Sequence, residues 1–122
     1  VDGAHNEDGI EAFIQTLKAN EIEDAILIFG VCSDKDYTKM QERLGTELEW
    51  NRIIVVPVQN ERTASTDVLK KQFKKYAKTS VAEAENVCKV LEDLYRSGNS
   101  KRIFVVGSLY LVGEVKAFFM EE

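Results

Sequence analysis

The sequence predicts a three-layer α/β sandwich, a mainly parallel sheet covered by helices on both faces. Three observations predict it. Apolar runs of strand length recur at residues 25–31, 53–58 and 103–106, segments with apolar residues at helical spacing stand between them, and polar stretches follow the runs directly. A strand buried on both faces has no polar side to alternate with, so near-continuous runs rich in Val and Ile point to parallel pairing with helical crossovers.

Taken in order, Val1 and Asp2 read as the last residues of a strand whose earlier part is absent, as in a fragment of a longer protein. Ile10, Phe13, Ile14 and Leu17 recur at i, i+3, i+4 and i+7, which predicts a helix over about 8–19 with one buried stripe. The run AILIFGV, Ala25 to Val31, is the first complete strand. Ser33 and Asp36 have the Ser-x-x-acid form of a helix start; Tyr37, Met40 and Leu44 then repeat at helical spacing until Gly45. Ile53 to Val58 is a second strand in which Pro57, lacking an N–H, belongs near an end or edge. After a loop at Asn60 to Thr63, Ser65 is placed to cap a helix that buries Val68, Leu69, Phe73 and Tyr76. Ser80 and Glu83 repeat the capping pattern ahead of Ala84, Val87, Cys88, Leu91, Leu94 and Tyr95, which predicts the longest helix of the chain. Ile103 to Val106 is the third strand, and residues from Leu109 to Met120 have helical potential.

Composition narrows what such a domain can do. At 122 residues, with 44% hydrophobic and 30% charged residues, the chain suits one domain with one core. A net charge of −5 works against nucleic acid, whose phosphates reward clustered Lys and Arg, and favours a small-molecule or protein partner. Cys32 and Cys88 have neither a disulfide nor a zinc spacing and read as buried free thiols of a reducing cytoplasm. No apolar run reaches the roughly 18 residues of a membrane span. The five lysines Lys70, Lys71, Lys74, Lys75 and Lys78 read as a solvated helix face, because no aromatic platform is interleaved with them.

Ligands of open α/β sheets gather beyond the carboxyl ends of the strands. There, Asp2 and His5 put a carboxylate and an imidazole on a short turn, suited either to ligand contacts or to capping the next helix together with Asn6. Lys35 sits in a polar loop where it can meet an anion or pair with its acidic neighbours. Ser108 follows Gly107 at a strand-to-helix junction, where a hydroxyl and backbone N–H groups receive a carboxylate or simply cap the helix. No Gly-x-x-x-x-Gly-Lys-Ser/Thr loop, dinucleotide fingerprint or nucleophile elbow is present, so the chain carries no complete catalytic apparatus of its own.

Three strings go further: DGAHN at Asp2 to Asn6, FGVCSDKDYTKM at Phe29 to Met40 and VVGSLYLVGEV at Val105 to Val115 resemble the dihydrofolate synthase and folylpolyglutamate synthase family of the Mur ligase superfamily. The resemblance spans nearly the whole chain. It implies a Rossmann-like carboxy-terminal domain, here residues 1–122, preceded in the full enzyme by a P-loop ATPase domain, with the active site in the cleft between them. It further implies transfer of the ATP γ-phosphate to a substrate carboxylate and attack by the glutamate amine, with Mg²⁺ and most ATP contacts on the other domain. By this resemblance Asp2 contacts ATP, His5 and Ser108 hold glutamate, and Lys35 faces the cleft. Asn6 and Tyr110 resemble dihydrofolate synthases and bifunctional bacterial enzymes more than eukaryotic polyglutamate synthases. Glu7 stands where bacterial members often carry proline, and an Arg-Ala-Ala-like loop of the family is here Arg62-Thr63-Ala64-Ser65. The implied location is the cytoplasm, or the mitochondrion if a targeting segment has been lost. The competing expectation is a flavodoxin-like or receiver-like binding module with no enzymatic role.

Overall fold

The computed structural model describes residues 2–4, 7–33 and 37–120. Five strands form one sheet: β1 (Asp2–Ala4), β2 (Ala25–Gly30), β3 (Trp50–Val55), β4 (Val81–Glu83) and β5 (Ile103–Gly107). Five helices connect or follow them: α1 (Glu7–Ala19), α2 (Thr38–Glu47), α3 (Thr66–Tyr76), α4 (Val87–Arg96) and α5 (Leu109–Met120). The strand order is β1-β5-β2-β3-β4 and every neighbouring pair is parallel. The last strand therefore lies between the first and the second.

Side chains alternate across a strand, so each central strand feeds two cores. Leu27, Phe29, Ile53, Val55, Phe104 and Val106 pack on one face against Ile14 of α1, Leu44 of α2 and Phe73 of α3. Ile26, Ile28, Ile54, Ile103 and Val105 pack on the other against Leu91 of α4 and Leu111 of α5. These two apolar layers make the sheet the middle of three layers, as expected from continuous apolar strands.

Several boundaries depart from the sequence reading. The helix expected from Ser33 begins at Thr38, with Tyr37 at the N-cap position and, among the described residues, no side-chain capping bond, and it runs through Gly45 to Glu47. Gly45 is there for contact, since a Cβ on it would lie 3.0 Å from Tyr76 Cβ. The second apolar run starts earlier and ends earlier than 53–58: Trp50 joins the ladder, buried and with its indole N–H donating to Leu44 O at 2.9 Å. Val56 N–H still reaches Phe29 O at 2.9 Å, after which Pro57 has no N–H to give.

The largest departure is at Ser80 to Glu83, read as a helix start. Val81–Glu83 instead forms the edge strand β4 on β3, and α4 begins only at Val87, capped by Asn86, whose Oδ1 accepts from Lys89 N–H at 2.8 Å. A three-residue strand is too short to display a period, whereas Ser-x-x-Glu imitates a capping box. With 10 residues α4 is also shorter than the 13-residue α1. Val68 and Tyr95, expected on buried stripes, are about half exposed at 48% and 51%. Ser65 occupies the N-cap of α3 with no side-chain capping bond among the described residues, and Cys88 is only partly buried while Cys32 is buried. Finally β1 extends to Ala4, so the first residues of the DGAHN run are strand rather than turn.

Candidate functional site

The carboxyl ends of all five strands lie on one edge of the sheet, at Ala4, Gly30, Val55, Glu83 and Gly107. β1 and β2 lead into α1 and α2 on one face, while β5 between them leads into α5 on the other. Where neighbouring strands send their connections to opposite faces, a crevice opens beyond the strand ends. That point here is the end of β5, and the residue occupying it is Ser108.

The local chain is built for close approach. Gly30 and Gly107 are register partners. A Cβ on Gly107 would sit 2.1 Å from Gly30 O, and Gly107 adopts φ +133°, a region that side chains other than glycine's rarely enter. This turn lets Ser108 N–H donate to Gly30 O at 2.9 Å. Ser108 Oγ then accepts from Tyr110 N–H at 3.1 Å and so caps α5, with Cys32 Sγ 3.9 Å away. Ser108 is one of two buried polar residues among those described, while Leu109 and Tyr110 beside it are 61% and 48% exposed. The hydroxyl thus lies under an apolar rim at a helix N-terminus, where N–H groups and the helix dipole favour an anion.

A second wall comes from residues 56–64. Cys32 and Thr63 form an antiparallel bridge, flanked by Ser33 N–H to Arg62 O at 2.6 Å and Ala64 N–H to Val31 O at 2.8 Å. Thr63 Oγ1 accepts from Val58 N–H at 2.9 Å, and Asn60 Oδ1 accepts from Arg62 N–H at 2.8 Å. Glu114 of α5 closes the loop by accepting from Gln59 N–H at 3.0 Å. Burial holds the Glu114 carboxyl above the ordinary carboxylate range, against the opposing pull of that N–H. From the sequence, Asn60 to Thr63 is a loop and Arg62 to Ser65 resembles a loop of the family, while Glu114 has no role. Their pairing joins positions far apart in the chain and leaves no local signal.

Of the four residues singled out from sequence, Ser108 is at the strand-end crevice. Asp2 is the first residue of β1, opposite Phe104, two positions before the carboxyl end. His5 and Lys35 lie outside the described residues. β1 and β5 thus bring the Asp2 and Ser108 segments onto adjacent strands. Among the described residues no group of three or more His, Cys, Asp or Glu is gathered as metal ligands, and no helix is long and apolar enough to cross a membrane. A cleft of about 470 Å³ lies at the opposite edge of the sheet, beside Trp50 and Lys78, and contains none of these residues. The strand-end crevice is the better candidate because fold topology, a buried hydroxyl and a helix N-terminus coincide there.

The protein family described as "Mur ligase, glutamate ligase domain" matches residues 1–109. The dihydrofolate synthase/folylpolyglutamate synthase of Bacillus subtilis is 26% identical over 117 residues, covering 95% of this chain and 26% of that protein. The folylpolyglutamate synthase of Lacticaseibacillus casei is 39% identical over 57 residues, 47% of this chain and 13% of that protein. In structure, folylpolyglutamate synthase from Thermotoga maritima superposes with a TM-score of 0.75 at 27% identity, over 98% of this chain and 27% of that one. The Mycobacterium tuberculosis folylpolyglutamate synthase complexed with ADP and AMPPCP gives 0.74 at 22% identity, over 98% and 29%, and shares the fold. The chain spans about a quarter of the length of the Bacillus relative.

Proposed function

Since the chain belongs to the Mur ligase family as its glutamate ligase domain, we propose that it serves as the carboxy-terminal domain of an ATP-dependent ligase that joins glutamate to dihydropteroate. The observation that carries this reading is the junction of β5 and α5, where Ser108 caps a helix N-terminus beside the strand that bears Asp2. An amino-acid substrate needs its carboxylates held by donors while its amine stays free, and a hydroxyl at a helix start is such a donor.

In the proposed reaction a carboxylate oxygen of the pterin substrate takes the γ-phosphoryl group of ATP and ADP departs. The glutamate amine then attacks the acyl carbon, phosphate leaves and an amide remains. Binding and charge neutralisation supply most of the rate. Asp2 contacts ATP, His5 and Ser108 hold glutamate, and Lys35 faces the cleft. Mg²⁺, which would neutralise phosphate charge, would be held mainly by a P-loop domain of the same longer chain. The proposed setting is the cytoplasm, or the mitochondrion if the longer chain carries a targeting segment, with a small-molecule substrate rather than nucleic acid or a membrane as partner.

The test is a steady-state assay of the longer ligase with ATP, glutamate and either dihydropteroate or a folate monoglutamate. His5→Ala and Ser108→Ala should raise the KM for glutamate more than that for ATP, and Asp2→Ala the reverse. Unchanged glutamate dependence in both of the first two variants would reject these roles. Turnover of the folate alone would identify a folylpolyglutamate synthase, the reading favoured if the glutamyl tail rather than the pteroate is the acceptor.

A further inference from the structure

We infer that Cys32 is a positioning residue that turns Ser108 into a donor, a role that rests on the assignment of Ser108 to glutamate binding made above. Both side chains are almost wholly buried, at 3% and 2% exposure, and Sγ lies 3.9 Å from Oγ. Neither is free to drift. The backbone of Cys32 is held by its bridge to Thr63, and Ser108 by its N–H bond to Gly30 O at 2.9 Å.

A serine hydroxyl has two acceptor sites and one proton. One acceptor site is filled by Tyr110 N–H at 3.1 Å. The contact with Cys32 can run in either direction, but sulfur is a weak acceptor and a carboxylate a strong one. When an anion is present at the helix start, the hydroxyl proton therefore goes to the carboxylate and the thiol proton to the second acceptor site on Oγ. With both acceptor sites filled, Ser108 has only its proton to offer. The relay Cys32 S–H to Ser108 Oγ–H to carboxylate polarises in one direction, which strengthens its outer bond.

The experiment uses the longer ligase and four proteins: wild type, Cys32→Ala, Cys32→Ser and Ser108→Ala. Cys32→Ala removes one small buried atom and the donor together; it should raise the glutamate KM roughly three- to tenfold while kcat and the ATP KM stay within about twofold. Cys32→Ser retains an O–H donor and should fall between Cys32→Ala and wild type. A wild-type glutamate KM in Cys32→Ala, with a raised one in Ser108→Ala, overturns the positioning role and leaves the glutamate site standing. A wild-type glutamate KM in Ser108→Ala sinks the underlying assignment. If Cys32→Ala moves both KM values and kcat together, or Cys32→Ser is no better than Cys32→Ala, the thiol only fills space and the inference fails.

Discussion

At the scale of single residues, the candidate site depends on how closely two strand ends approach. Gly107 should tolerate no side chain, because its Cβ would collide with Gly30 O and its φ is +133°. Gly107→Ala should cost on the order of 3 kcal/mol in a denaturant titration; a loss below about 0.5 kcal/mol would show that the turn relaxes freely. Gly98 is the internal control, with φ +71° and open space around it. Gly98→Asn should stay within about 1 kcal/mol of wild type, since Asn enters the left-handed region most readily after Gly. Ser108 was legible in the sequence because Val-Gly-Ser ahead of an apolar helix marks a strand-to-helix junction. Its contact with Cys32, across 76 positions, was not, since nothing local to either residue encodes the partner.

Among elements, the helices are held to the sheet by the two apolar layers, and a few polar contacts at their ends and seams add to that packing. Asn86→Ala removes the side-chain cap of α4 and should lower stability by about 1 kcal/mol, read as a Tm decrease with unchanged far-UV circular dichroism. Along the seam of α1 and α2, Arg43 bonds Glu47 at 2.6 Å and also Glu11, while Lys18 bonds Glu47 at 2.8 Å. Those bonds hold the Glu47 carboxyl at about 2, below its ordinary 4.5. The folded state thus binds fewer protons than the unfolded one, and the stabilisation is present above about pH 4.5 and fades as pH falls towards 2. Glu47→Gln should be less stable than wild type at pH 7, and the difference should close in acid; a gap that persists at pH 2 would exclude the ion pairs as its cause. Gln41 joins α2 to α3 through Nε2 and Leu69 O at 2.8 Å, yet its Oε1 is buried with no partner among the described residues. Losing that unsatisfied oxygen offsets losing the bond, so Gln41→Met should change stability by less than about 1 kcal/mol.

Helices were more legible than strand edges for a physical reason: α1 repeats its apolar stripe over 13 residues, whereas β1 and β4 have three residues each and derive their identity from a neighbouring strand. Residues 80–83 show the consequence, for Ser80 and Glu83 satisfied a local helix rule that pairing with Ile53 to Val55 overrode. Trp50 was missed as a strand residue because the signal lies in its burial beside Leu44, not in the polar Asn51 and Arg52 that follow it.

For the molecule as a whole, the sandwich itself was readable because three continuous apolar runs admit few other arrangements, and the order of the strands was not, because order is set by crossovers rather than by any run. The proposed division of labour gives a direct expectation: the 122-residue chain alone should release no ADP from ATP with pteroate and glutamate, and the longer ligase should. Amide formation by the isolated chain would refute it.

The strand order has one more consequence, in time rather than in space. Among the described residues β1 pairs with β5 alone, and of the five strands β5 is the last to be synthesised. While this domain is being made, the facing edges of β1 and β2 stay unsatisfied until β5, about 100 residues after β1 and about 70 after β2, slides between them. Long-range pairing of this kind is slow and leaves sheet edges exposed to other chains. A stalled or truncated product ending before Ile103 would lose the Ser108 helix start, and it would also present two open edges to aggregation.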